Sequence, residues 1–218
     1  FGFNEHLINE PDTNLANKNE FVIFLLNQEI EKEVKKSPDN KIIIDLNDYE
    51  QREILKKDLF NKFFKVIRKD TGQLYTARSA DVELNQFKKE EITQFIKDLN
   101  KLLLLNHPAI IKLIGFSPFN FKKEFKPVFI NELSPKLTLN DIFKNEKKKL
   151  IIPGWNSTKK LINIYGIASA MNYLHSLDIV HQNLKPDNIF VDEYFYPKLS
   201  EIGFFTHKLI IHSMTLQS

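Results

Sequence analysis

The chain has 218 residues, 42% of them hydrophobic and 27% charged, with a formal net charge of +3; this balance argues against disorder and excludes a basic arm that holds nucleic acid by neutralising phosphates. Cysteine is absent, which excludes disulfides, thiolate metal sites and a cysteine nucleophile and fits a reducing compartment such as the cytoplasm. The longest apolar runs, Phe21 to Leu26 and Leu102 to Leu105, are too short to span a bilayer, so no membrane span is expected.

Phe1 to Asn17 is mostly polar and without a clear period. Ile23, Leu26, Ile30 and Val34 then recur at helical spacing until Ser37-Pro38-Asp39-Asn40 breaks the pattern. One amphipathic helix is expected there, and packing of its apolar face on the following domain is favoured over a free partner-binding helix. From Ile42 to Ala80 short alternating runs, with a turn signal at Lys69-Asp70-Thr71-Gly72-Gln73, predict an antiparallel sheet. Ile92, Phe95, Ile96, Leu99, Leu102 and Leu103 mark one face of a helix that stops before Pro108. Ile110 to Phe116 and Pro127 to Leu133 read as two more strands, followed by a short helix that Thr138 or Asn140 could cap. Lys147, Lys148 and Lys149 read as a solvated loop. A longer helix begins at a cap signal on Asn156 and Ser157, with an expected apolar stripe of Leu161, Ile164, Ala168, Met171 and Leu174. His107, His175, His207 and His212 show no spacing that suggests a metal site.

The stretch His181-Gln-Asn-Leu-Lys-Pro-Asp-Asn188, followed by Ile189 to Val191, a turn, and Pro197 to Gly203, resembles the catalytic loop and metal-binding motif of the eukaryotic protein kinases. The order of elements upstream agrees, and the resemblance covers about Leu46 to Ser218. It implies an α+β, protein-kinase-like bilobal fold. A five-stranded antiparallel amino-terminal lobe carries one main helix, and an incomplete helical lobe follows. The expected divisions are 1–40, an extension with one amphipathic helix; 41–133, the strand-rich lobe; and 134–218, a partial helical lobe reaching the start of an activation segment. Exposed apolar surface is expected where the helices that would follow Ser218 pack in the family.

The resemblance also implies ATP and Mg as cofactors and a protein as substrate or partner, but several positions depart from the pattern. Leu55 to Phe63, where the family has a glycine-rich turn over the phosphates, holds no glycine, and a charged hairpin is the favoured reading. The strand lysine is Arg78 and its helix glutamate partner is Asp98; a structural ion pair is expected there rather than a phosphate clamp. Adenine would meet Phe63, Thr76 and Phe190, and Phe63 adds volume that could fill part of the base site. The catalytic aspartate is Asn183, which can accept a hydrogen bond but is no ordinary base; the loss of such a group typically costs about 10² to 10⁴ in rate. Gln182 replaces an arginine that receives phosphate from the activation segment, leaving Ser213, Thr215 and Ser218 without the usual receiver.

Lys185 matches the residue that contacts the transferring phosphate. Asn188 matches a magnesium ligand, with shaping of the turn an equal alternative, and Glu201 stands one methylene longer in place of the metal-binding aspartate. Leu102, Leu113, His181 and Ile202 match an internal apolar column. The combined losses predict a pseudokinase with a binding or scaffolding role. The alternatives are an atypical serine/threonine kinase that keeps Mg-ATP, and a truncated copy without function.

Overall fold

The computed structural model describes residues 15–34, 43–57 and 61–202. Gly203, which would close the motif after Glu201 and Ile202, lies outside these ranges, as do His207, His212, Ser213, Thr215, Ser218 and residues 58–60.

Helix α1 spans Leu15–Val34, and Val22, Leu25 and Leu26 are buried. After a 3-10 turn at Leu46–Asp48 come β1 (Tyr49–Lys57), β2 (Asn61–Arg68) and β3 (Leu74–Ala80). The β2–β3 hairpin turns through Gly72, whose φ of +70° is the left-handed conformation glycine adopts without penalty. Helix α2 spans Lys89–Leu103; at its start Glu91 accepts a 2.8 Å hydrogen bond from the Lys88 backbone N–H, satisfying a donor that the helix cannot. Strands β4 (Leu113–Ser117) and β5 (Val128–Glu132) complete a five-stranded antiparallel sheet of order β1-β2-β3-β5-β4. The early run around Ile43 forms only an isolated bridge to Phe116 rather than a strand.

The period of two along these strands sorts the core into two clusters. Phe64, Val66, Ala77, Val128 and Ile130 pack on one face with Tyr49 and Tyr75. On the other, Phe116 and Phe129 join α2 through Ile92, Ile96 and Leu99, and the same cluster takes in Val22, Leu25 and Leu26 of α1. Asn85 donates a 2.8 Å hydrogen bond to Asn19 at this seam. Thus α1 packs on the back of α2, and each fully buried aliphatic side chain there contributes about 1.5 to 3 kcal/mol.

The chain then forms β6 (Leu137–Thr138), α3 (Leu139–Lys147), α4 (Ser157–Ser176), β7 (Ile189–Val191) and β8 (Pro197–Leu199), with β6-β7-β8 as a second sheet. Thr138 caps α3 in a reciprocal arrangement with Asp141, and Asn156 caps α4 by accepting from Lys159 N–H at 3.0 Å. The stripe expected on α4 matches its inward face only toward the end of the helix: Leu174 is buried and Met171 packs on the core, but Leu161, Ile164 and Ala168 are exposed, and Asn163 and Ala170 are buried instead. Apolar residues also occupy exposed positions of this helix, at Leu161, Ile164 and Tyr165, so its period does not single out one side. No helix among the described residues is long and apolar enough to cross a membrane.

Candidate functional site

The loop between α4 and β7 is built by local geometry. Ile179 is buried and anchors it; Gln182 adopts φ of 58°, which turns the chain so that His181 lies inside while Gln182 is exposed. Asn183 N–H donates to the His181 carbonyl at 2.7 Å, closing the turn. Pro186 sits in the first turn of a 3-10 segment, Pro186–Asn188, where its missing N–H costs nothing. Asn188 is buried, and its Nδ2 donates to the Asn183 carbonyl at 2.9 Å while its own carbonyl accepts from Ser200 N–H at 2.9 Å. Asn188 therefore shapes the turn and also ties the loop to the residue preceding Glu201. Glu201 has φ of 57°, a conformation that costs a non-glycine residue about 1 to 2 kcal/mol.

Across the cleft, Phe63 on β2 and Arg78 on β3 are register partners, so both side chains leave the sheet on one face. The Arg78 guanidinium carbon lies 4.6 Å from the centre of the Phe129 ring, and Nη1 donates to Glu201 Oε2 at 2.7 Å. Side-chain exposures of 11% and 15% make this a largely desolvated ion pair between the sheet and the segment that follows β8. Asp98, buried on α2, accepts from Gln94 at 2.7 Å. Arg78 is therefore ion-paired with the residue at the position where the kinase pattern has a metal ligand.

Phe63, Thr76, Arg78, Asn188, Phe190 and Glu201 line one cavity of about 480 Å³. That size falls within the range of small-molecule sites, and Phe63 leaves the cleft open as a whole. Thr76 is also structural: its Oγ1 accepts from Ser134 N–H at 3.0 Å, holding the segment between β5 and β6. Asn183, Lys185 and Asp98 are not part of the cavity lining; Lys185 is exposed on the loop.

The lining includes charges that sequence reasoning missed. Cations are Lys56, Lys65, Arg78 and Lys136. They are matched by the carboxylates Glu53, Asp141, Asp187 and Glu201. Lys65 pairs with Glu53 at 3.2 Å, and Lys56 lies 5.6 Å from the centre of the Phe63 ring. The signal for Lys65 was its spacing of two from Phe63, which puts both on one face of β2.

His181 is buried, with 1% of its surface exposed, and Leu102, Leu113 and Ile202 belong to or pack against the main core. Burial pushes its imidazole below the usual pKa, while its own backbone, the Glu201 charge and the Ser200 backbone act in the opposite direction.

These surroundings fit a planar, uncharged ring more readily than a divalent cation. Aromatic and aliphatic side chains offer the ring apolar walls. A cation would need Glu201, which is already held by a guanidinium, and the described residues hold no cluster of three or more histidine or carboxylate ligands.

The profile of the protein kinase domain matches residues 49–212. The probable serine/threonine-protein kinase samkA of Dictyostelium discoideum is 35% identical over 187 residues, covering 84% of this chain and 27% of that protein. The human ribosomal protein S6 kinase alpha-6 is 30% identical over 160 residues, 71% of this chain and 20% of its own length. The cysteine-rich receptor-like protein kinase 25 of Arabidopsis thaliana is 30% identical over 137 residues, 61% of this chain and 19% of its own. The chain thus spans about a quarter or less of these relatives.

Proposed function

This chain belongs to the protein kinase family, and we propose that it has given up efficient phosphotransfer and acts as a pseudokinase that binds and positions a protein partner, in a reducing compartment such as the cytoplasm. The observation that carries this reading is the catalytic loop itself. Its turn is intact, yet the residue placed for proton transfer is Asn183, an amide that accepts a hydrogen bond but takes up no proton at neutral pH. The missing glycines of 55–63 and the Arg78–Glu201 pair act in the same direction, since phosphates lose both their backbone donors and their metal clamp.

The test is phosphate transfer to a generic serine/threonine substrate and to the chain itself. The wild type is expected to match Lys185→Ala at background. Incorporation by the wild type clearly above that variant would refute the proposal.

A second reading, an atypical serine/threonine kinase using Mg-ATP, is favoured by one observation: Asn188 and Glu201 line the same cavity and are joined through Ser200. It requires Arg78 to release Glu201, and it predicts a rise in melting temperature that depends on both nucleotide and metal.

A further inference from the structure

We infer that the cleft takes a purine-sized ligand of low charge, a nucleoside or nucleoside monophosphate, and takes it without a divalent cation. The inference rests on reading the cleft as a site of binding rather than of phosphotransfer.

Charge decides between ligands here. Among the described residues the cavity lining carries four cations and four carboxylates, so their formal charge sums to zero. A triphosphate would bring several negative charges into a space with no net countercharge, where screening by water is reduced. In an active kinase site magnesium supplies that countercharge. In this chain the corresponding carboxylate, Glu201, is bound at 2.7 Å by Arg78, whose guanidinium also lies against the Phe129 ring. A hydrated magnesium ion would have to displace a cation that needs no dehydration and already satisfies the carboxylate. Arg78 is occupied in turn, so phosphates compete with Glu201 for it. The sequence 55–63 holds no glycine through which backbone donors could approach an anion closely.

What remains is a cavity of about 480 Å³ with Phe63 from the first lobe and Phe190 from the second among its walls. An aromatic base gains apolar burial there whatever the metal concentration.

The experiment is a calorimetric titration of the chain with adenosine, AMP, ADP and ATP, each in EDTA and in magnesium, supported by thermal shifts. Adenosine and AMP are expected to bind with affinities that magnesium changes by less than about threefold, and ATP to bind about tenfold or more weakly than AMP. In Glu201→Gln, which keeps a hydrogen-bond acceptor for Arg78 but removes one negative charge, the metal-free preference is expected to move toward ATP by about tenfold. Tighter binding of ATP than of AMP, a gain of about tenfold on adding magnesium, or an unchanged preference in Glu201→Gln would overturn the inference. So would failure of every nucleoside to bind, which leaves the absence of phosphotransfer untouched. Phosphate transfer above the Lys185 background would instead overturn the reading on which the inference rests.

Discussion

Leu26 lies at the seam between α1 and α2 with 1% of its surface exposed, while Phe24, two residues earlier on the same helix, is 41% exposed. Leu26→Ala removes three buried carbons, worth about 2.4 kcal/mol in transfer alone at ~0.8 kcal/mol per methylene. The cavity left behind raises this, and measured Leu→Ala changes in cores run from about 2 to 5 kcal/mol. We therefore expect a loss of about 3 kcal/mol. At ~2 to 4 °C per kcal/mol for a chain of this size, the melting temperature should fall by about 6 to 12 °C. Urea unfolding followed by circular dichroism, with Phe24→Ala as the control, separates packing from helix propensity, because both variants place alanine on α1. Phe24→Ala should cost less than about 1 kcal/mol. Equal effects of the two variants, or a silent Leu26→Ala, would show that α1 does not pack on α2 as described.

Removing one half of the Arg78–Glu201 pair is expected to cost about 2 to 4 kcal/mol in Arg78→Met, slightly below the range for fully buried pairs because 15% of Glu201 still meets solvent. Arg78→Met with Glu201→Leu should recover most of that loss in the same urea assay, and a double variant less stable than the single one would contradict the account. A Cβ at Gly166 of α4 would lie 2.5 Å from Pro197 Cγ, so Gly166→Val is expected to destabilise by about 2 kcal/mol through overpacking. Fluorescence of the single Trp155, whose ring lies 5.5 Å from that of Phe195 in the adjoining turn, should change with it. For pH, the native pKa of His181 is depressed by burial, and that of His107 likewise. The unfolded chain therefore binds protons first as pH falls past about 6.5, the native state loses stability below that point, and nothing is gained above it. The urea midpoint should drop between about pH 7 and pH 5. His181→Phe should flatten part of that slope, and a slope unchanged by this variant would assign the effect elsewhere.

How much of this was legible in the sequence depended on the range of the interaction. Ile92, Ile96 and Leu99 showed α2 because a helix with one buried face writes its period into the chain. Asn156 showed the start of α4 because a cap is made with residues a few positions away. The half-buried strands were readable from alternation, as in Phe64 and Val66 against Phe63 and Lys65. The inward face of α4 was not, because Leu161, Ile164 and Tyr165 put apolar residues on its exposed side as well. The resemblance to the kinases brought Phe63, Thr76, Arg78, Asn188, Phe190 and Glu201 to one cavity, which periodicity alone could not do. The pairing of Arg78 with Glu201 stayed hidden because Glu201 lies 123 residues away and nothing local distinguishes it from any other carboxylate. Whether Phe63 fills or borders the cleft was likewise a matter of packing, which side-chain volume alone does not determine.

The seating of α1 on α2 has a consequence for how this chain meets other molecules. The helix lies outside the 49–212 span of the kinase domain, yet it covers the back of the helix that carries Asp98. A covering segment joined to its own site acts at an effective concentration that reaches the millimolar range for short connections, whatever the abundance of the protein. A separate protein seeking the same face must outbid that local supply. The orientation of α2 is thus written into chain connectivity and should not vary with dilution, so the far-UV signal and melting temperature of the chain are expected to be the same across a hundredfold range of protein concentration, about 1 to 100 μM.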